Sequence, residues 1–368
     1  MIRRLYVHNF RCLENFDLSL AGQSSWLLIG RNGSGKSTVG VALEVFQNIG
    51  RGLNRVDELI KPKDLSRGRR EVPVTFEIEV EIESRRLAYR LALELPQGFR
   101  QLRVGEEVLT SDGDEIFRRN LAEVKLTRDG REVKWGIDWH SVALPLIQER
   151  SSQPLALFKK WLSQMLILRP VPRMIGGESS SETLQPDSSL ANLAAWYTGL
   201  TALSQAAGAT MVNYLRGPMP DLRDIQNRTL GGDARDLELV FANDEGTARV
   251  PFQDLSDGEK SQFAGALLLA ASELAENVPL VCFWDEPDSH LSLDEVQHFV
   301  MSLRRAFRSG SQIVMTSHHS EAIRSFTEEC TILLHRRSHS EPVLARRLED
   351  VDRGGDIVGA MLRGDLEP

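Results

Sequence analysis

The residues from Gly30 to Ser37 have the types and spacing needed to hold a chain of phosphates. The run GRNGSGKS fits the pattern G-x-x-x-x-G-K-[ST], and it follows the apolar run SWLLI. Glycines let successive backbone N–H groups turn towards one phosphate, at the start of a helix whose dipole favours anions. Lys36 would reach the outer phosphates, and the Ser37 hydroxyl suits Mg²⁺. The alternative is a plain glycine turn before a helix, but the full pattern favours nucleotide binding.

Two adjacent carboxylates, Asp285 and Glu286, end the apolar run VPLVCFW. Because neighbouring residues of a strand point to opposite faces, one carboxylate can serve Mg²⁺ while the other orients an attacking water. Acids at a strand end also make turn and cap hydrogen bonds, and alone that interpretation would be preferred. A phosphate loop about 250 residues upstream favours phosphoryl transfer.

Two further segments carry polar groups at places where a phosphate could bind. Ser256 and Glu259 in LSDGE have the spacing of a helix capping box, and Gly258 between them leaves room for close backbone approach. Judged alone, the segment is a helix cap. His318 follows the buried run SQIVMTS, where a histidine would lie over a ligand crevice at the carboxyl edge of a sheet. The remaining histidines show no ligand spacing, so no metal site made of protein groups alone is predicted.

Hydrophobic periodicity predicts the elements that position these residues. Strands lead into the phosphate loop, and a helix follows it to about Gly50. Later segments are a meander of antiparallel strands over 71–135 and a helical block over 140–216, with helices over 155–168 and 188–209 and a Pro, Gly and Ser-rich loop at 169–187 between them. From Leu255 onward helix and strand alternate, beginning with a helix over 259–276. This last alternation is typical of a parallel α/β core. The predicted fold class is α/β.

Composition favours an ordinary globular protein in a reducing compartment. The chain has 368 residues and a formal net charge of −8, which does not favour nucleic acid except through a local basic patch. Its three cysteines have no paired or metal-like spacing. No apolar run approaches the length of a membrane span, and the first residues lack the apolar core of a signal peptide. We therefore expect a cytoplasmic protein with no membrane contact.

The order of these motifs resembles the ATP-binding-cassette ATPases, particularly the stand-alone branch of RecF, the SMC heads and the OLD-like, AAA-labelled ATPases. The likeness rests on YVHNFRCLENFDLSL with GRNGSGKST, on LQPDSSLANLAAWYTGL, and on DEPDSHLS followed by TSHHSEAI. It touches both ends and several middle points of the chain. The resemblance implies a phosphate-loop NTPase with a parallel RecA-like core, an antiparallel β lobe and a helical insertion.

The resemblance also implies a role for each matching residue. Lys36 and Ser37 bind phosphate and Mg²⁺, Asp285 supports the metal, Glu286 is the general base, and His318 senses the γ-phosphate. Ser256 and Gly258 would contact ATP held by a second copy, so that two ATPs lie between two heads; this reverses the preference for a mere cap. The other residues implied to contact nucleotide are Arg11, Gly30, Asn32, Gly33, Ser34, Gly35, Thr38 and Glu259. Residues Asp288 to His290 would form the loop that crosses the dimer.

The sequence departs from the family pattern in two places. No glutamine stands where the family's Q-loop is expected, and Glu71 lies at about that position. The segment after His318 carries no nuclease-like acidic cluster, so any effector activity is expected on another polypeptide. The predicted domains are an ATPase lobe over 1–139, a helical insertion over 140–219 and a second ATPase lobe over 220–368.

These features predict an ATPase switch whose head-to-head dimer closes on two ATP-Mg and reopens on hydrolysis. Its output would go to DNA or to a partner effector protein, as in genome maintenance or anti-phage defence. Residues 51–70 hold seven basic against three acidic residues and are the candidate DNA surface. One alternative is a regulatory subunit that gates a toxin or nuclease without touching DNA. Another is a transporter's nucleotide-binding subunit, which would need a Q-loop glutamine and an apolar surface.

Overall fold

The computed structural model describes residues 1–351, apart from 129–130, 149, 151–152, 245, 275–278 and 309. The last residues of the predicted third domain, 352–368, and the last two of the predicted helix 259–276 thus lie outside the described residues. The chain folds into two compact units. The first unit is Met1–Met165 with the described residues from Glu328 onward, and the second is Leu166–Thr327.

The strands, in chain order, are β1 (Ile2–His8), β2 (Phe16–Ser19), β3 (Ser25–Ile29), β4 (Val74–Ile82), β5 (Arg85–Glu94), β6 (Arg103–Ser111), β7 (Asp114–Asn120), β8 (Glu123–Arg128), β9 (Arg131–Gly136), β10 (Leu166–Leu168), β11 (Glu178–Ser179), β12 (Leu222–Gly231), β13 (Ala234–Asn243), β14 (Gly246–Pro251), β15 (Val281–Trp284), β16 (Gln312–Thr316), β17 (Thr331–His335) and β18 (Leu344–Arg347). The α-helices are α1 (Lys36–Gly50), α2 (Val56–Leu59), α3 (Pro154–Gln164), α4 (Leu193–Leu203), α5 (Gln205–Leu215), α6 (Asp257–Leu274), α7 (Leu293–Ala306) and α8 (Ser320–Arg324).

The first unit contains an eight-stranded antiparallel sheet in the order β2-β1-β4-β5-β6-β7-β8-β9. Strands β4 and β5 alternate buried and partly exposed residues, as expected for a sheet with one solvated face. The meander predicted over 71–135 is therefore present. In the same unit β3 pairs in parallel with β17, which pairs antiparallel with β18. Every residue of β3 is buried.

Aromatic rings fill the core of the first unit beneath α1. Phe46 of α1 meets Phe76 of β4 edge-on, with ring centroids 6.0 Å apart. The contacts continue through Tyr89 of β5 to Phe158 of α3. The end of α1 packs directly on α3, because a Cβ at Gly50 would lie 2.4 Å from Leu162 Cβ. These contacts fix the helix that begins at the phosphate loop.

The second unit combines a parallel sheet, an antiparallel sheet and helices. Strands β10, β15 and β16 run parallel, and β11, β12, β13 and β14 form the antiparallel sheet. Helix α6 is the packing centre: Phe263 contacts the rings of Tyr197 and Phe252, and Gly265 leaves space for the ring of Phe299 on α7. The α6 helix thus holds α4 and α7.

Two predicted elements differ in the structure. The helix expected over 155–168 ends at Gln164, and Leu166–Leu168 forms β10, because pairing with β15 outweighs a helical pattern in a short apolar run. The single helix expected over 188–209 is two, α4 and α5, since Ser204 is extended at φ −148°. The loop predicted at 169–187 is irregular except for a 3₁₀ turn at Pro172–Met174 and the short strand β11.

The compact units do not follow the predicted divisions after residues 139 and 219. The helical block is shared between them, since α3 belongs to the first unit and α4 and α5 to the second. The division into two ATPase lobes and a helical insertion therefore stays a prediction.

Candidate functional site

The phosphate loop lies between β3 and α1, as predicted. Its glycines are required by the backbone: Gly30, Gly33 and Gly35 have φ of 151°, 79° and 99°, a region that other residues rarely adopt. Space is short as well. A Cβ at Gly30 would lie 2.2 Å from the Leu334 carbonyl oxygen, and one at Gly35 would lie 2.8 Å from Val343 Cγ2. Only glycine fits these two positions.

The side chains of the loop are placed to receive an anion. The Lys36 ammonium, which is almost fully buried, donates to the Gly30 carbonyl at 3.0 Å and the Arg31 carbonyl at 3.4 Å. Ser34 is buried, and its hydroxyl has no hydrogen-bond partner within the described part of the chain. A bound phosphate would accept a hydrogen bond from the Ser34 hydroxyl. It would also replace the loop carbonyls as the partner of the Lys36 ammonium. The glycine cradle, the orphaned hydroxyl and the lysine fit a nucleotide phosphate.

The other predicted contacts of this unit lie around the loop and the first turn of α1. Ser37 is exposed at the helix start, and Thr38 accepts a weak hydrogen bond from Cys12 Sγ at 3.6 Å. Arg11 has φ of 52°, and its Nε donates to Asp64 at 3.0 Å. The preceding Asn9 is fully buried and donates to the Val72 carbonyl. Asn9 therefore has a structural role, while nucleotide contact by Arg11 stays a prediction.

The second unit holds the predicted acidic strand end. Strand β15 stops at Trp284, and Thr316 ends the adjacent parallel strand β16. The Thr316 hydroxyl donates to Asp285 Oδ1 at 2.7 Å and accepts from the Glu286 backbone N–H at 2.8 Å. Thr316 is fully buried, so one hydroxyl fixes both acidic residues. No sequence motif points to Thr316.

The two acidic residues lie beyond the end of the strand that was predicted to orient their carboxylates. Strand alternation was expected to send them to opposite faces, but the strand has already ended. Glu286 instead has a left-handed backbone with φ of 50°, which is strained for a residue with a side chain. Such strain persists where surrounding contacts hold it, and here the hydrogen bond from the Glu286 N–H to Thr316 does so.

Glu286 and His318, predicted as base and phosphate sensor, are brought together. His318 Nε2 lies 2.9 Å from Glu286 Oε1, and the Ser289 hydroxyl donates to Oε2 of the same carboxylate at 3.2 Å. Glu286 keeps 40% of its side chain exposed, so it can still reach a solvent molecule. This places a histidine proton donor beside a carboxylate that accepts protons.

A cleft of about 380 Å³ opens at this strand end. Its lining includes Asp285 and Glu286 together with Arg169, Ser261 and His290. Arg169 directly follows β10, at the carboxyl edge of the strand next to β15. Sequence reasoning missed Arg169 because β10 had been assigned to a helix. Glu71, which lies at about the position where the family's Q-loop glutamine is expected, is exposed ahead of β4 in the first unit.

The LSDGE segment forms the capping box expected from its spacing. The Ser256 hydroxyl accepts from the Glu259 N–H at 3.3 Å, and the Glu259 carboxylate accepts from the Ser256 N–H at 2.7 Å. Gly258 has a packing reason, since a Cβ there would lie 2.8 Å from the His290 carbonyl oxygen. The helix start thus abuts the predicted dimer-crossing loop. Ser256 is exposed, so its contact with a partner's ATP stays a prediction.

Asp288, at the start of the same predicted loop, is held inside the unit. Its carboxylate accepts a hydrogen bond from the Ser317 hydroxyl, and burial raises its pKa. Ser317, the residue before His318, therefore anchors the predicted dimer-crossing loop, which follows Glu286.

The basic segment 51–70 is partly neutralised within the first unit. Arg67 and Arg69 both pair with Glu14, and Arg55 lies 3.5 Å from Asp57. Arg51 donates to the Ser163 carbonyl. Three further cations of the segment have no ion pair in the described chain, namely Lys61, Lys63 and Arg70. The positive surface is therefore smaller than the sequence count suggests.

A phosphate loop between strand and helix, and a pair of acids ending a parallel strand, define the class: the chain has a phosphate-loop NTPase fold. Residues 27–324 match the family described as "AAA domain, putative AbiEii toxin, Type IV TA system". The match spans most of the chain, which therefore belongs to this AAA-domain family.

Solved structures show the same fold. An SMC head bound to the C-winged helix domain of ScpA is similar, with a TM-score of 0.58, 16% identity, and coverage of 95% of this chain and 98% of that one. The Smc head with an extended coiled coil, bound to the C-terminal domain of ScpA derived from Pyrococcus furiosus, has a TM-score of 0.52 and 13% identity, with coverage of 100% and 99%. No curated protein matches the chain.

The predicted AAA-labelled ATPase family and the predicted fold class are thus confirmed, while the likeness to the SMC heads is a likeness of fold. Among the residues that the structure describes, no helix is long and apolar enough to cross a membrane.

Proposed function

We propose that this protein binds and hydrolyses ATP, and that two copies close head-to-head around two ATP molecules. The observation that carries hydrolysis, beyond binding, is the acidic strand end: one buried hydroxyl, that of Thr316, holds both Asp285 and Glu286, and His318 pairs with Glu286. A phosphate loop alone supports binding. A fixed carboxylate beside a histidine supports attack by water.

Each residue then has a defined task. The N–H groups of Gly33 and Gly35 and the Ser34 hydroxyl hold the phosphates, and Lys36 leaves the loop carbonyls to pair with them. Ser37 and Asp285 carry the oxygen ligands assigned to Mg²⁺, which neutralises phosphate charge when bound.

Hydrolysis is assigned to the carboxylate and histidine of the second unit. Glu286 takes a proton from the attacking water at its exposed carboxylate. His318 donates towards the γ-phosphate and keeps Glu286 oriented before ATP arrives. Ser256 and Gly258, at the start of α6, are proposed to meet the ATP of the second copy.

We propose that ATP hydrolysis acts on a protein partner, in preference to DNA. Residues Arg67 and Arg69 of the candidate DNA segment are already paired with Glu14, which weakens a phosphate-binding surface. The family description names a toxin of a type IV toxin–antitoxin system, and the two similar SMC heads are bound to ScpA domains. Gating of an effector is therefore the favoured output, and coupling to DNA in genome maintenance or anti-phage defence is the second candidate, supported by Lys61, Lys63 and Arg70.

The test is steady-state ATP turnover of the purified protein, with and without duplex DNA, and with Glu286→Gln as the blank. We expect turnover by the wild type and none above background by the variant. Turnover indifferent to DNA supports the protein-partner output, whereas stimulation that fades with salt supports the DNA output. Equal release of phosphate by wild type and Glu286→Gln would contradict the assigned chemistry.

A further inference from the structure

The turn between β17 and β18, residues Arg336–Val343, lies against the phosphate loop in the first unit. We call it the 336–343 hairpin. Strand β17 runs parallel to β3, with Leu333 opposite Ile29. Because the carboxyl ends of parallel strands meet at one edge of a sheet, the hairpin and the phosphate loop leave the sheet side by side.

Close contacts hold the hairpin against the glycines of the loop. At its base, the Val343 N–H donates to the Cys12 carbonyl at 3.1 Å, and the Val343 side chain covers Gly35. Towards its tip, His339 Nε2 lies 3.9 Å from the position that a Cβ would take on Gly33. A methyl group at Gly33 would therefore touch the imidazole, which lies next to the loop that would wrap the phosphates.

The backbone of the hairpin tip is fixed by two arginines. Arg336 Nε donates to the Glu341 carbonyl at 2.8 Å, and its guanidinium also donates to the His339 carbonyl. From outside the hairpin, Arg67 donates to the Ser340 carbonyl at 3.0 Å. His339 is thus presented on an ordered turn although its side chain is exposed.

The His339 imidazole has a free donor and a favourable charge environment for an anion. In the part of the chain that the structure describes, its ring nitrogens have no hydrogen bond or ion pair. An imidazole nitrogen donates a hydrogen bond when protonated and in one neutral tautomer. Arg336 and Arg337 flank it on the same turn, against the single acid Glu341. The hairpin therefore adds positive charge at the rim of a cradle built for phosphate.

We propose that His339 is a nucleotide-contacting residue, which donates from Nε2 to the polyphosphate of the nucleotide held in the phosphate loop. This inference rests on the proposed function and adds a second source of phosphate ligands, from the hairpin, to those of the loop and Lys36. It also makes the hairpin between β17 and β18 part of the nucleotide site, although no sequence motif lies there.

Equilibrium binding of a fluorescent ATP analogue to the full chain tests the proposal, with wild type, His339→Ala, His339→Arg and Ser338→Ala compared. Ser338 is the matched control, because it is exposed on the same turn and its hydroxyl meets only Ser340 in the described structure. We expect His339→Ala to bind about fivefold or more weakly, as loss of a charge-assisted hydrogen bond implies. His339→Arg and Ser338→Ala should bind like the wild type.

The outcomes separate the inference from the function on which it rests. Wild-type binding with an unchanged affinity for His339→Ala would overturn the role of His339 and leave the proposed function standing. Equal weakening by Ser338→Ala would also overturn it, because the effect would then belong to the turn and not to the imidazole. Failure of the wild type to bind would overturn the proposed function and the inference together.

Discussion

At the scale of single residues, Thr316 holds the proposed hydrolytic site in place. Its hydroxyl is the only atom that the described structure shows bonded both to Asp285 and to the backbone of Glu286. Since Glu286 has a left-handed backbone, it needs a contact of this kind to stay in place. Thr316 is therefore a positioning residue for the proposed general base and touches no reacting atom itself.

Thr316→Val keeps the shape of the side chain and removes the hydroxyl. Because a small misplacement of a reacting group is costly, we expect kcat to fall about tenfold to a hundredfold, with little change in KM for ATP. Thr316→Ser should restore most of the rate, since it restores the hydroxyl. Steady-state kinetics over a range of ATP concentrations measure kcat and KM for the two variants. An unchanged kcat in Thr316→Val would show that Glu286 is positioned by other contacts.

The sequence indicates the motif residues but not the residues that support them. Lys36, Asp285 and Glu286 could be found because their chemistry and spacing stand next to apolar strands. Thr316 and Arg169 could not, because their importance comes from strand neighbours that are distant in sequence. Residues 316 and 285 meet only because β16 lies beside β15, and no local pattern contains that pairing.

At the scale of elements, a buried ion pair ties the antiparallel sheet to the segment 138–144, which follows β9. Glu107 of β6 and Arg119 of β7 are both fully buried, 3.8 Å apart. Glu107 accepts from the N–H groups of Ala143 and Leu144, while burial raises its pKa. Burial likewise lowers the pKa of Arg119, since it disfavours each charged form.

Further hydrogen bonds link this buried ion pair to the start of α2. Arg119 donates to the carbonyls of Leu121, Asp138 and Ser141. The neighbouring backbone then bonds the start of α2, because the Val56 N–H donates to the His140 carbonyl at 2.9 Å. A buried charge pair thus anchors a turn that short-range sequence patterns do not predict.

Glu107→Ala leaves Arg119 charged and buried without its acid. We expect a loss of about 3–5 kcal/mol in the free energy of unfolding, measured by urea denaturation. Glu106→Ala is the matched control on the solvated face of the same strand, where the pairs with Arg90 and Arg118 are partly exposed. Its expected cost is below about 1 kcal/mol. Equal costs for the two variants would contradict the anchoring role of Glu107.

Element boundaries show where local patterns fail. The meander and α1 were predicted because alternation and helical spacing persist over many residues there. Strand β10 was mistaken for the end of a helix, since three apolar residues fit either structure and the partner strand β15 decides. The break between α4 and α5 was missed because Ser204 is a neutral residue for helices, and only its extended backbone reveals the break.

At the scale of the whole molecule, the proposed activity needs a second copy of the chain. Ser256 and Gly258 begin α6 with an exposed hydroxyl and a glycine closely approached by the His290 carbonyl. The capping box with Glu259 fully explains the local geometry, so a role across a dimer has to be tested in solution. The division into two compact units could not be predicted, because β17 pairs with β3 from some 300 residues away.

The molar mass of Glu286→Gln in solution with ATP and Mg²⁺, measured by gel filtration with light scattering, directly tests the proposed head-to-head dimer. The variant should bind ATP without cleaving it, so we expect a dimer with ATP and a monomer with ADP. Adding Ser256→Arg should return the variant to a monomer that still binds ATP, because the arginine would block contact with the partner's nucleotide. A monomer of Glu286→Gln with ATP bound would contradict the proposed head-to-head switch.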